Sequence, residues 1–528
     1  MTRPRGSRLK RILTAGVLVL LVVMSAVVFL LWKPVPDYFP DDLIATDLSE
    51  PPLWQDCAWD PLARDRLAEC ARISVPLDRS VPSEDQIDLL VKRRLPAGNT
   101  TAQIWLVHGG PGASATAGMP DLSAGVEELR PDIAYYAVDH RGVGGSERLG
   151  CAGQEAAGSP GGALIVPSEW PDCIRAVRND QGSRLAHFST KASALDLDAL
   201  VRKFREPEVP VFVYGGSYGT HLVRRYLQLT QHPPAGAVLE GLVASDGGMT
   251  GYDANLEAGA LAFLDKCDGS ISCSRYFDSP LQDQISRMFT ELEAGHCGFL
   301  NLSPDVARRL LAAMTFFADT RVLIPPLVHR IRRCSWRDIW FVSRLVLNFS
   351  AATRNGTFSA VLHNHVVLSE MYRPGQSAAR LQADFESAVL STGAEAEYAR
   401  LHPTWPKYDP PVPDTALTEA GKAPVLVLHG ALDAPAPLDA ARLAAQQLQI
   451  ENGWLAVFPQ GAHGVLGATP TAQGTDCARQ IMLAFIDRPD LAPDMGCIDD
   501  VLPLDWTHVP QGAARLAGTS DLWGGPVR

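Results

Sequence analysis

"VPVFVYGGSYGTHLVRRYL", residues 209–227, decides how this chain is read. An apolar, mostly β-branched run stops at Gly215-Gly216, passes through one serine and one tyrosine, and turns at Gly219 into helical spacing. So short and continuous an apolar run fits a strand buried on both faces of a parallel sheet. The turn after it is so sharp that side chains flanking Ser217 would clash, which accounts for the glycines. Ser217 is thereby held out above the end of a strand, at the positive N-terminal end of a helix.

The same alternation extends on both sides. "QIDLLVKRRL" (86–95), "AQIWLVHG" (102–109), "DIAYYAVD" (132–139) and "AGAVLEG" (235–241) read as strands. "TKASALDLDALVRKF" (190–204) carries Ala194, Leu197, Leu200, Val201 and Phe204 at helical spacing. After about residue 250 this pattern stops, and 251–415 is mostly helix-like. "APVLVLHG" (423–430) then restores a buried strand, "PLDAARLAAQQL" (437–448) a helix, "GWLAVFP" (453–459) a strand and "TAQGTDCARQIMLAFI" (471–486) a helix. The expected architecture is an α/β sheet interrupted by a helical insertion. Its parts are a basic tail (1–11), a transmembrane anchor (12–32), a linker (33–55), the first part of the core (56–250), the insertion (251–415), the second part of the core (416–505) and a C-terminal tail (506–528).

The anchor is read from "ILTAGVLVLLVVMSAVVFLLW", Ile12 to Trp32, 21 residues without a charge behind a tail with five cations in eleven residues. As a helix it would be roughly 31 Å long, enough to cross a bilayer core. More apolar residues follow Ser25-Ala26, which favours an uncleaved anchor over a signal peptide. The basic flank then stays cytoplasmic, and the large domain is periplasmic or extracellular. Net charge is −12 with no basic block beyond the N-terminus, which excludes nucleic acid as a partner. Ten cysteines, none in the CxxC clusters of a zinc site, suit five sequential disulfides in an oxidising compartment.

Chemistry concentrates at strand ends. Gly215-Gly216-Ser217-Tyr218-Gly219 fits G-x-S-x-G, the nucleophile elbow. A serine hydroxyl needs a base, and behind such an elbow the partners follow in the order acid, histidine. Asp433 stands in the loop after one buried strand, and His463 in the loop after the next, 30 residues on. His463 would be general base and then general acid, with Asp433 fixing its tautomer. His429 sits inside a strand end and is expected to be packed. His221, one turn into the helix, is expected to face away. His363 and His365 form an "HNH" triplet without a carboxylate cluster, so no metal is expected. The oxyanion would receive the amide of Tyr218 and one from His108-Gly109-Gly110-Pro111-Gly112, with Gly110 preferred and Gly109 next. A rival reads Gly110-x-Gly112-x-x-Ala115 with Asp139 as a dinucleotide site of an oxidoreductase. Pro111 removes an N–H that the phosphate would need. A third possibility is a non-catalytic binding module on the same fold.

"HGGPG" (108–112), "DHRGVGGS" (139–146), "GGSYG" (215–219), "GALDAPAP" (430–437) and "GAHG" (461–464) together resemble the α/β-hydrolase superfamily. More narrowly, they resemble its prolyl iminopeptidase and tripeptidyl aminopeptidase-like serine peptidases. The likeness covers about 90–250 and 420–490. It implies a helical cap between the two halves of the core, N-terminal exopeptidase activity without a cofactor, and a cap carboxylate that holds the substrate's α-amine. Glu370 in "VVLSEMY" matches that position; otherwise it is a solvated helix carboxylate. Asp139 and Arg141 are expected to brace their loop. The alternative within the same chemistry is an esterase or lipase acting on small or lipid-like esters.

Overall fold

The computed structural model describes residues 39–525 other than 41, 61–62, 81–84, 157, 163, 245, 354–356, 410–421, 448–452 and 508. The expected anchor, 12–32, lies outside the described residues. Among the described residues no helix is long and apolar enough to cross a membrane.

The apolar runs become strands of one mixed sheet: β1 (Ala45–Asp47), β2 (Gln55–Asp60), β3 (Ala63–Pro76), β4 (Gln86–Arg94), β5 (Ala102–Val107), β6 (Ile133–Val138), β7 (Val211–Gly216), β8 (Gly236–Glu240), β9 (Val425–Gly430) and β10 (Gly453–Phe458). Their order is β1-β3-β4-β6-β5-β7-β8-β9-β10, with β2 paired to β3. From β6 through β10 every pair is parallel, and β4 is antiparallel to both its neighbours. Every residue of β5, β6 and β9 is buried, because helices cover both faces. The chain leaves β5 toward one edge and later leaves β7 toward the other. The carboxyl ends of β5 and β7 therefore flank a topological switch point, where open α/β sheets keep their sites.

Between β8 and β9 the described elements are helical and build a second core around Leu256, Phe263, Ile285, Met288, Leu327 and Phe341. The described residues between Trp506 and Gly525, in the stretch read as a tail, pack into this core. Trp506, Leu522 and Trp523 are buried in it, and the helix Gln511–Ala517 packs on the helix Trp336–Thr353. Two indole rings supply enough apolar surface to hold so short a segment down.

Two further expectations are corrected. The 33–55 linker contains β1, whose residues 45–47 pair in parallel with 72–74 of β3. A three-residue edge strand is too short to show a periodicity. The last core helix starts at Cys477, not Thr471, because the Asp476 side chain accepts the Arg479 amide and caps it. The ten cysteines pair sequentially: Cys57–Cys70, Cys151–Cys173, Cys267–Cys273, Cys297–Cys334 and Cys477–Cys497.

Candidate active site

Ser217 lies between β7 and the elbow helix Tyr218–Leu229, with φ 56° and ψ −126°. A non-glycine residue in so sparsely populated a region costs about 1–3 kcal/mol and persists only where its surroundings fix it. Here the Ser217 amide donates to the Glu240 carbonyl at 2.9 Å, and the Ser217 carbonyl accepts the Thr220 amide at 2.8 Å. A side chain at position 215 would overlap the Gly219 carbonyl. One at position 109 would come within 2.6 Å of Ser217 Cβ and 3.1 Å of its Oγ, so the loop after β5 runs right against the serine.

Asp433 and His463, 30 residues apart, meet at the neighbouring strand ends. His463 Nδ1 donates to Asp433, at 2.9 Å from Oδ1 and 2.8 Å from Oδ2. An ionised carboxylate only accepts, so Nδ1 carries the proton and Nε2 keeps its lone pair. Asp433 is itself held where its Oδ1 accepts the Ala436 amide at 2.8 Å. Burial disfavours the imidazolium. The charge and hydrogen bond of Asp433, with Glu240 nearby, outweigh it and hold the His463 pKa above its ordinary value. The cap takes part as well: the Phe316 carbonyl accepts the His463 amide at 3.0 Å, and Arg321 donates to the Gln460 carbonyl.

Glu240 was missed by the sequence reading. It ends β8 fully packed, and its Oε1 accepts the amides of Val465 at 2.6 Å and Leu466 at 2.7 Å, while Tyr214 donates to Oε2. One residue thus ties the elbow to the loop that carries His463. The available signal was a single carboxylate closing the apolar run "AGAVLEG".

In the loop after β5, the Gly109 amide donates to His108 Nδ1 at 2.7 Å. Burial drives the His108 pKa down to about 4, which keeps that nitrogen an acceptor. The Gly109 amide is therefore engaged, while Gly110, at φ +113°, is the next N–H along. The Tyr218 amide opens the elbow helix and has no intrahelical acceptor.

Glu370 is not a solvated carboxylate. It lies on a π-helical turn, Val367–Met371, and is 9 % exposed. Its Oε1 accepts the Thr190 amide at 2.9 Å and the Tyr408 hydroxyl, and Oε2 lies 3.9 Å from His221 Nε2. Burial alone would raise its pKa. Hydrogen bonding and charge from His221, then Tyr408 and Thr190, bring it below the ordinary value. His221 thus turns toward the cap carboxylate. The Tyr218 hydroxyl meets Thr190 Oγ1 at 2.8 Å, so Glu370 stands one residue removed from the elbow.

Of the remaining candidates, His429 is buried, with Nε2 donating to the Ala436 carbonyl at 3.0 Å. Asp139 accepts from Ser114 Oγ, from the Thr116 amide and hydroxyl, and from the Gly145 amide. With both oxygens bound inside the protein, it has nothing to offer a ribose. Arg141 pairs with Asp196 at 2.8 and 2.9 Å, so Asp139 and Arg141 each brace the loop through partners of their own. Among the described residues no group of His, Cys, Asp and Glu could hold a metal ion.

A mixed sheet with its switch point at a strained strand–serine–helix turn, an acid after β9, a histidine after β10 and a helical insertion before β9 define an α/β-hydrolase fold. No protein-family model matches the chain, and no curated protein does. Among solved structures it is similar to a proline iminopeptidase from Mycobacterium smegmatis, at 13 % identity over 80 % of this chain and 100 % of that one, TM-score 0.34. It is also similar to an esterase from Exiguobacterium antarcticum, at 12 % over 77 % and 97 %, TM-score 0.31. A third is a proline iminopeptidase-related protein from Thermus thermophilus, at 15 % over 75 % and 92 %, TM-score 0.31.

Proposed function

We propose that the chain is a serine hydrolase working through an acyl-enzyme on Ser217. The observation that carries this is His463 Nδ1 seated on both oxygens of Asp433, in the same row of strand ends as the strained Ser217. His463 Nε2 takes the hydroxyl proton as Ser217 Oγ bonds to a carbonyl carbon. The proton passes to the leaving amine or alcohol, and the C–N or C–O bond breaks. Water, giving a proton to the same nitrogen, then releases the acid. The amides of Gly110 and Tyr218 stabilise the oxyanion, each contributing about 2.7–4 kcal/mol in comparable sites.

The favoured substrate is a short peptide with a free N-terminus, whose ammonium the Glu370 carboxylate would hold. A second reading is ester hydrolysis. It is favoured by the engagement of Glu370 Oε1 with Thr190 and Tyr408, which leaves an incoming amine only Oε2, beside His221. Membrane anchorage through 12–32, with the catalytic domain outside the cytoplasm, belongs to the same proposal. Five disulfides suit an oxidising compartment.

The test compares the protein with Ser217→Ala on free and N-acetylated Pro- and Ala-p-nitroanilides and on a short p-nitrophenyl ester. Cleavage of the unblocked anilides alone, lost in the variant, supports the aminopeptidase. Ester cleavage alone moves the assignment to esterase. Absence of any Ser217-dependent turnover refutes both.

A further inference from the structure

The "HNH" triplet takes no part in the site described so far, yet both histidines are fully committed. His365 Nε2 donates to the Leu185 carbonyl at 2.9 Å, and its Nδ1 accepts from Trp405 Nε1 at 3.1 Å. His363 is arranged the other way round. Its Nδ1 lies 3.0 Å from the Pro111 carbonyl, and its Nε2 2.8 Å from the Tyr398 hydroxyl. A carbonyl only accepts, so Nδ1 carries the proton, Nε2 keeps its lone pair, and Tyr398 donates. Burial supports this neutral tautomer by taking the His363 pKa down to about 4.

Pro111 belongs to the loop whose Gly110 amide faces the oxyanion in the proposed reaction. That loop is tied to the cap as well as to itself, where the Ala113 amide donates to the Gly109 carbonyl at 3.2 Å. The Ser359 amide donates to the Gly112 carbonyl and the Ser114 amide to the Thr357 carbonyl, each at 2.8 Å. Gly110 and Gly112 have φ of +113° and +105°, conformations that glycine reaches without strain but, being free to adopt many others, holds only at an entropic cost. The ring fixes φ of Pro111, so holding its carbonyl also holds the residue that follows Gly110.

The geometry points to His363 as a positioning residue: through the chain Tyr398–His363–Pro111, the cap sets the backbone of the oxyanion loop. Docking of the cap and assembly of the oxyanion site are then one event. This rests on the serine hydrolase reading for its catalytic consequence, but not for the linkage.

Two measurements separate the parts. Hydrogen–deuterium exchange over 108–114 in the full-length protein reports the linkage whether or not anything is turned over. Expected is faster exchange in His363→Leu and near-native exchange in His363→Asn, whose amide restores the donor at the position of Nδ1. Turnover of the p-nitrophenyl ester or anilide reports the consequence. His363→Leu should lose on the order of tenfold to a hundredfold in kcat with KM within about twofold, as for a small misplacement of a catalytic group. His363→Asn should recover most of it. Native exchange in His363→Leu overturns the proposal, as does an equal loss in the Leu and Asn variants. If His363→Leu does not fold, Tyr398→Phe serves instead. It removes the donor to Nε2, and exchange and kcat unchanged from wild type overturn the proposal too.

Discussion

Glu240 holds Ser217 by its backbone and the histidine loop by its side chain. Its carbonyl accepts the Ser217 amide at 2.9 Å, while its carboxylate accepts the amides two and three residues beyond His463. Ser217 and His463 come from segments more than 240 residues apart, and one strand-end residue gives them a common reference.

Replacing Glu240 by glutamine should therefore disturb alignment more than it disturbs folding. Glu240→Gln keeps an acceptor for Val465 and Leu466, and Tyr214 can accept from the new amide. Near-native melting and a modest loss of kcat are expected. Glu240→Ala leaves a buried amide, a half-buried amide and a buried hydroxyl unpaired, at about 1–3 kcal/mol for each buried group. Denaturant titration and kcat together check this, and native stability in the Ala variant contradicts it.

In the proposed reaction the Asp433–His463 pair sets the acid limb of the pH–rate profile. Only neutral His463 can take the serine proton, so activity rises with pH through its pKa. Asp433 raises that pKa against the effect of burial, which places the limb above that of an ordinary histidine. In Asp433→Asn the stabilising charge is gone and burial remains, so the limb moves to lower pH. The rate should fall by on the order of 10⁴-fold as the tautomer is no longer held. A kcat/KM profile from pH 4 to 9 measures both effects, and an unshifted limb would argue against Asp433 as the acid.

The parts of this architecture that repeat locally were legible in the sequence. β5, β6, β7, β9 and β10 are short apolar runs, and Ser217, Asp433 and His463 stand at or in the loops after β7, β9 and β10. What escaped was held by contacts distant in sequence. β1 carries three residues, Glu240 is identified by amides 225 and 226 positions away, and Glu370 by an amide 180 positions away. The terminal segment reads as a tail because Trp506 and Trp523 are widely spaced, and only the folded cap gives them a common surface.

Glu370 offers a test that separates binding from scaffolding. Its pKa is lowered on folding, so the stability it contributes is fully present above the unfolded carboxylate pKa. It is lost as pH falls through the folded value. Glu370→Gln should cost about 1.5–3 kcal/mol at pH 7, and that difference should shrink on acidification. If the carboxylate also holds a substrate amine, the variant loses kcat/KM on unblocked anilides and keeps its activity on the ester. Equal losses on both substrates would leave Glu370 a purely structural carboxylate.

The C-terminal segment should behave as part of the cap. Trp523 stacks on Tyr276 with ring centroids 3.7 Å apart and planes 4° apart, and its Nε1 donates to the Trp506 carbonyl at 3.3 Å. Arg330, buried in the cap, donates to the carbonyls of Asp521 and Leu522. Trp523→Ala removes the largest of these anchors and should destabilise the fold by about 3–5 kcal/mol. The conservative Trp523→Phe keeps most of the stack and should cost markedly less. Because the cap also holds His463 through the Phe316 carbonyl, the Ala variant should lose activity at a lower temperature than it loses its far-ultraviolet circular dichroism signal. Coincident transitions would mean that cap and sheet unfold as one unit. An unchanged melting temperature in Trp523→Ala would return 506–528 to the status of a tail.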